Sequence, residues 1–511
     1  MDHSTYSIFC DEENKHMSLE LSSKSHRELL SSSYLERVES WGMSIYAASY
    51  VYRPSCITDL KNIFKLAKET GRSVALRGAG CSYGDASLNS ENITLDLTRF
   101  NRILDWDPYS GIIAVEPGVT LEQLWKKVIG DGWWPPVVSG TMYVTMGGAV
   151  GMNYHGKNNF KLGPIGEHVL EFDILLPTGE TITCTRKNET DLFYSAIGGF
   201  GMLGCFTRIV LQMHPVETGQ VEVTAFATDS FQHIYEEFEQ RAEAADYLVG
   251  WIDCFAAGSQ LGRGQVHAAR YLSAHEVYLP EQTLRIENQD LPDTLFGIVP
   301  KSIMWRFMKL AANPLGMRII NSSKYALGRT IGNNKTMNQS LTGFSFLLDY
   351  MPGWKRVYSP GGLIQYQSFI PNENAVKCFE QQLMICQKRG IVPWLGVFKK
   401  HRKDDFLMSH AVDGYSLALD FPVNDSNREQ LKSLTDELNS LVIQSHGRFY
   451  FAKDCTLTKD IAAKFLGEKT LRCFARLKKK CDPQNILQTD LSRRLFGDWT
   501  QFADDLTGSR I

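Results

Sequence analysis

Residues 74–89, VALRGAGCSYGDASLN, constrain this chain more than any other stretch. Gly78, Gly80 and Gly84 follow the apolar run 74–76, so the backbone can turn sharply and aim several N–H groups at one anion. A Rossmann turn would need its last glycine to open a helix, with an acidic residue about 20 positions on. Here Ile93, Leu95 and Leu97 alternate with polar residues instead, the pattern of a half-buried strand. The loop therefore joins strand to strand, which argues against a nicotinamide fold and for an α+β domain of the flavoprotein kind. An ordinary glycine-rich turn has the same spacing, so other stretches must decide.

Two further glycine-rich stretches follow. In 139–159, SGTMYVTMGGAVGMNYHGKNN, Gly147, Gly148, Gly151 and Gly156 allow close backbone approach, and the stretch reads as too polar for a core element. In 196–208, Gly198, Gly199, Gly201 and Gly204 precede a strand-like run, 206–213. Loops of this kind separated by short strands suit one extended ligand touched by backbone at several points. Before the first loop, 57–69 spaces Leu60, Ile63, Phe64 and Leu66 for an amphipathic helix, with Thr58 or Asp59 as its cap.

At 511 residues, with 43% hydrophobic and 22% charged, the chain has the size and balance of two or three globular domains. A formal net charge of -3 gives no reason to expect nucleic acid. The eleven cysteines include no C-x-x-C pair and show no metal-ligand spacing, so no metal is expected. Their odd number, and an N-terminus without a basic-then-apolar leader, lead to the expectation of reduced thiols and a cytoplasmic protein. No apolar run approaches the roughly 18 residues of a membrane span.

Residues 1–40 are polar and Ser-rich and read as a mobile tail with one short helix at most. After Pro215 the texture changes to strand-like runs at 221–226, 247–252 and 265–271, the start of a second domain. Residues 361–371 and 415–422 alternate like neighbours in one antiparallel sheet, with Gln365 and Gln367 on one face. Between Thr294 and Leu348 there is no Asp or Glu, while Lys301, Arg306, Lys309, Arg318, Lys324, Arg329 and Lys335 mingle with Phe296, Trp305, Phe307, Met308 and Leu310. A solvated face explains such a segment; contact with a membrane surface or an anionic lipid head group is the sharper expectation.

The motifs R-G-A-G-C-S-Y-G-D, G-G-A-V-G-M-N-Y-H-G-K-N-N, G-G-F-G-M-L-G, L-I-Q-Y-Q, Y-F-A-K-D, C-D-P-Q-N-I-L and D-L-S-R-R-L stand in one colinear order over residues 40–497. Together they resemble the vanillyl-alcohol-oxidase-type (PCMH-type) FAD-binding oxidoreductases, and within that family the ribose-oxidase branch, flavin subunits of ribose 2′-epimerases. The resemblance implies an α+β fold. Its two-part FAD-binding domain would span 41–217 and 448–498, around an inserted antiparallel-sheet substrate domain, 218–447, with tails at 1–40 and 499–511.

The same resemblance places Arg77, Gly78, Ala79, Gly80, Cys81, Ser82, Tyr83, Gly84, Gly140, Thr141, Thr145, Gly147, Gly148, Gly151, Asn153, Gly201, Gly204 and Tyr450 against FAD. Gln365, Gln367 and Lys399 would line the sugar pocket. Lys453 would stand near flavin and substrate, to stabilise charge on the reduced ring or hold a substrate oxygen; alone, it would read as half of a surface ion pair. His155 is the candidate base, since imidazole suits proton removal near neutral pH, and Lys157 a substrate or cofactor contact. Many relatives tether the flavin through a histidine where this chain has Cys81, and some through a cysteine where it has Thr141 or Met142, so FAD is expected to be dissociable. The ribose oxidases of mycobacteria carry a reactive cysteine at the place of Ala418; covalent inhibition through it is not expected here.

The activity implied is oxidation of a sugar or alcohol hydroxyl, with a polyprenylphosphoryl pentose as the leading substrate class and a separate NAD(P)-dependent reductase completing an epimerisation. An alditol or aldonolactone oxidase, or a sterol side-chain reductase, would use the same flavin domain. A flavin-binding, membrane-associated protein without turnover is the reading from another class.

Overall fold

The computed structural model describes residues 30–289, 291, 294–295 and 299–502; most of the N-terminal tail, Phe296 and residues 503–511 lie outside it. Four strands open the fold: β1 (Leu35–Glu39), β2 (Tyr46–Tyr52), β3 (Val74–Arg77) and β4 (Ile93–Asp96), in the order β1-β2-β4-β3. Between β2 and β3 lies α1 (Ile57–Thr70), which buries Leu60, Ile63, Phe64 and Ala67 against the sheet. Its N-cap is Cys56 rather than Thr58 or Asp59, and Asp59 accepts instead from the Ser55 amide at 3.2 Å. The opening glycine loop does join strand to strand, but β3 and β4 run parallel.

A five-stranded antiparallel sheet follows, built from β5 (Ile103–Asp107), β6 (Ile112–Val115), β7 (Val169–Leu175), β8 (Thr181–Thr185) and β9 (Cys205–Gln212) in the order β5-β6-β9-β7-β8. Between β6 and β7 run α2 (Leu121–Val128), the short α3 (Met146–Gly151) and one further helical turn, Asn159–Leu162. The second glycine run is thus a helix, and Met146, Ala149, Val150 and Gly151 are buried in it. The expectation that it could not be a core element fails because glycine and alanine let a helix sit tightly under β9.

The second half is one eight-stranded antiparallel sheet. It comprises β10 (Gln220–Thr228), β11 (Tyr247–Ile252), β12 (Gly264–Tyr271), β13 (Lys335–Ser340), β14 (Leu363–Pro371), β15 (Leu395–His401), β16 (Gly414–Pro422) and β17 (Arg448–Phe449). Their order is β13-β10-β12-β11-β15-β16-β14-β17. The mixed α+β class with a large antiparallel sheet is therefore what the chain adopts. The acid-free segment forms two helices, α4 (Lys301–Leu310) and α5 (Pro314–Leu327), then β13 and the short α6 (Leu341–Ser345).

Three boundaries differ from the sequence reading. β1 already belongs to the first sheet, so ordered structure begins before residue 41. β17 pairs with β14 and closes the edge of the large sheet before the chain leaves it. At the other end Trp499, expected in a tail, is buried against Phe474 and Phe496.

After Tyr450 the chain returns to the first sheet at two points and packs Phe451, Phe474 and Phe496 around Phe200 of the third glycine loop. The Tyr83 amide donates to Ala452 O at 2.8 Å, and the Val74 amide to Ile486 O at 2.7 Å. Three α-helices lie in this segment: Lys459–Leu466, then α7 (Glu468–Cys481) and α8 (Asp490–Leu495). Arg494 of α8 holds Asp85 and Asp454 together, at 2.7 and 2.9 Å.

Candidate active site

A cleft of about 490 Å³ lies between the glycine loops and the large sheet. The sheet supplies its roof by simple alternation, since every second residue of a strand faces the same side. Gln365 and Gln367 of β14, Val397 and Lys399 of β15, and Ala418 and Asp420 of β16 project into it together. The register sets Gln365 opposite Asp420 and Gln367 opposite Ala418.

The floor is made by the loops. Gly80 has φ +68°, a left-handed turn that glycine adopts without strain. Among the described residues, the amides of Ala79, Gly80, Cys81 and Ser82 find no hydrogen-bond acceptor. Arg77 holds this turn from behind, donating to Ser87 Oγ at 2.9 Å and to Glu39 O at 2.8 Å. A methyl on Gly78 would stand 1.9 Å from Thr145 Oγ1, so the first and second loops touch. From the third loop, Gly201 and Gly204 reach the cleft.

Of the residues expected at the cofactor, all but two line this cleft. Gly84 does not: a Cβ there would meet Asp454 O at 1.7 Å, so this glycine admits the returning C-terminal segment. Asn153 does not either; it is buried, with Oδ1 accepting from the Gly166 amide at 2.9 Å. Gln365, Gln367, Lys399, His155, Lys157 and Lys453 all line the cleft.

Lys453 sits 3.7 Å above the Tyr83 ring. Burial, then Lys399, lowers its pKa to about 7, while Asp420 and Cys81 oppose the shift. Asp420 Oδ1 accepts from Gln365 Nε2 at 2.6 Å, and burial raises its carboxyl to about 6. Lys399 is pushed down to about 8 by burial. The isolated lysine of an ordinary ion pair would not behave this way.

His155 is buried rather than free on its loop. Its Nε2 meets Gln367 Nε2 at 3.3 Å, and its ring packs among His401, His410, Phe369 and Tyr450. Burial, followed by the nearby charge of Lys399, holds its pKa well below the usual histidine value. The Lys157 ammonium is also engaged, donating to the carbonyls of Phe344 and Ser345. It ties the second glycine stretch to α6 besides lining the cleft.

Sequence reasoning missed Asp420, Trp251, His267, Lys324 and Asp349. Asp420 had a signal: it stands two residues after Ala418 in an alternating run and so shares its face. Asp349 accepts from Thr141 Oγ1 and the Met142 amide, both at 2.8 Å, and latches the second glycine stretch. Nothing local marked Trp251 or His267, and Lys324 stood out only as one of the basic residues of the acid-free segment.

Residues 48–185 match the family described as FAD binding domain. The chain is 30% identical over 468 residues, 90% of its length and 97% of the relative's, to a decaprenylphosphoryl-beta-D-ribose oxidase of Mycolicibacterium smegmatis. It belongs to the vanillyl-alcohol-oxidase-type FAD-linked oxidoreductases. Among relatives that match over less of the chain are a putative D-arabinono-1,4-lactone oxidase of Neurospora crassa, 28% identical over 37% of this chain and 33% of its own, and cytokinin dehydrogenase 2 of Arabidopsis thaliana, 30% identical over 39% and 41%.

The cleft of this FAD-linked oxidoreductase fits the cofactor. The orphaned amides of 79–82 form a nest suited to a pyrophosphate, which supplies the acceptors that the protein withholds. Lys453 lines the same cleft, between the Tyr83 ring of the opening loop and Asp420 of the sheet.

Proposed function

We propose that this oxidoreductase oxidises a hydroxyl of a sugar carried on a lipid phosphate, a polyprenylphosphoryl pentose being the leading case. The observation that carries the reading is the cluster Lys453–Tyr83–Asp420–Gln365 on the cleft wall, with Tyr83 and Asp420 buried and Lys453 and Gln365 half-buried, set beside the orphaned loop amides. Bound FAD supplies a hydride acceptor.

The chain's own residues do the rest. Lys453, with a pKa of about 7, exists partly as the free amine at neutral pH and takes the hydroxyl proton. Asp420 and Tyr83 fix the amine's position, and Gln365 and Gln367 hold neighbouring sugar hydroxyls from one strand face. Lys399, still largely cationic at neutral pH, favours developing negative charge on the oxygen. A ketone product would pass to a separate NAD(P)-dependent reductase if the overall change is an epimerisation.

The near-complete coverage of a relative named a ribose oxidase supports the substrate class. The shorter match to a putative lactone oxidase supports an alditol or aldonolactone as a second reading. Anaerobic stopped-flow separates them. Bleaching of the flavin by a short polyprenyl-phosphoryl ribose, but not by alditols or aldonolactones, is expected; the reverse pattern sinks the first reading.

FAD is proposed to be held without a covalent bond. Burial raises the Cys81 thiol to about 11, so it stays protonated and a poor nucleophile at neutral pH. Acid precipitation should leave the yellow colour in the supernatant. Flavin fluorescence retained by the denatured chain on a gel would contradict this.

A further inference from the structure

We propose that the outer face of α4 and α5 docks this protein onto an anionic lipid surface. The inner faces of both helices are already used: Trp305 and Met308 of α4, and Met317 and Ile320 of α5, pack with Val357, Tyr358 and Trp394. Yet large apolar side chains remain on the other side. Leu310 is 82% exposed, Leu315 69%, Leu327 59%, Ile319 58% and Phe307 57%. Leu315, Ile319 and Leu327 recur in steps of four and eight, along one side of α5. Apolar side chains on both faces mark a helix that needs a second apolar medium.

Charge selects that medium. Arg306, Lys309, Arg318 and Arg329 flank these side chains, and the segment from Thr294 to Leu348 contributes no carboxylate. Asp229, at the end of β10, meets Arg329 at 3.7 Å. A basic rim around an apolar face complements the head groups and acyl boundary of an anionic leaflet. None of the described helices is long and apolar enough to cross a membrane, so the mode is interfacial.

The same helix reaches the cleft. Lys324 of α5 lines it, with its ammonium 4.1 Å from the Trp251 ring, and Leu347 and Leu348 line it further along the segment. A docked molecule would bring the cleft close to the lipid phosphates, so a lipid-held substrate could enter without leaving the leaflet. This last consequence rests on the substrate reading above; the docking itself does not.

The test is flotation of the FAD-loaded full chain with phosphatidylcholine vesicles, with and without phosphatidylglycerol. Binding is expected only with phosphatidylglycerol and should weaken as salt rises. Leu310→Glu/Leu315→Glu/Ile319→Glu should reduce binding by about tenfold or more. The milder Arg306→Gln/Arg318→Gln, which leaves the apolar face intact, should reduce it by several-fold. Tyr109→Glu, at a site 96% exposed between β5 and β6, should float like the parent. Failure of the parent to float, or flotation of both variants at the parent's level, overturns the proposal; so does a parent dimer that the triple substitution disperses without any vesicle binding. Flavin bleaching by a soluble short-chain substrate is read separately, so loss of the substrate reading leaves the docking result standing.

Discussion

Lys453→Met is expected to slow flavin reduction by substrate by about 10²–10⁴-fold, the usual contribution of a positioned general base, with FAD retained. The direction of the pH profile follows from the lowered pKa of about 7. Below that value the ammonium carries a proton and cannot accept another, so the parent rate should rise about tenfold per pH unit and then level off. The methionine variant should lose that limb. His155→Ala is the companion: His155 is neutral over this range and bonded to Gln367, so its removal should cost about tenfold or less and leave the limb in place. A retained limb in Lys453→Met, with a rate loss under about threefold, would move the proton acceptor elsewhere.

Asp482→Ala is expected to be the most damaging single change to stability, at about 3–5 kcal/mol. Lys478 and Asp482 are 2% and 0% exposed and 2.6 Å apart on the end of α7. The ammonium uses its other donors on Met202 O and Leu487 O, at 3.0 and 2.7 Å. Asp482 accepts in turn from the amides of Ile486 and Leu487, at 2.9 and 2.7 Å. Removing the carboxylate therefore strands a buried charge and two amides at once. Because Met202 lies in the third glycine loop, the variant should also purify with less FAD. The denaturation midpoint of the FAD-loaded protein measures this, and a loss below about 1 kcal/mol would show that water reaches the site.

Much of the plan was readable along the chain. The strands around the opening loop, and those carrying Gln365 and Gln367, announce themselves because a period of two needs only neighbouring residues. The second glycine run misled because its composition is that of a loop, whereas its burial under β9 lets it persist as a short helix. Gly84 was placed at the cofactor by its motif, but the atom it must avoid, Asp454 O, is supplied from the far end of the chain.

By itself, then, the sequence determined the strand alternation, the glycine-rich anion-binding loops, the acid-free amphipathic segment and, through its ordered motifs, the family. Tertiary structure alone decided that Lys453, Tyr83, Asp420 and Gln365 share one cluster on the cleft wall, that His155 is enclosed by His401, His410, Phe369 and Tyr450, and that the inner faces of α4 and α5 are already occupied. The reason is physical. Periodicity and backbone freedom are local properties, whereas a lowered lysine pKa or an unpartnered apolar face depends on which distant segments take water away and which leave it.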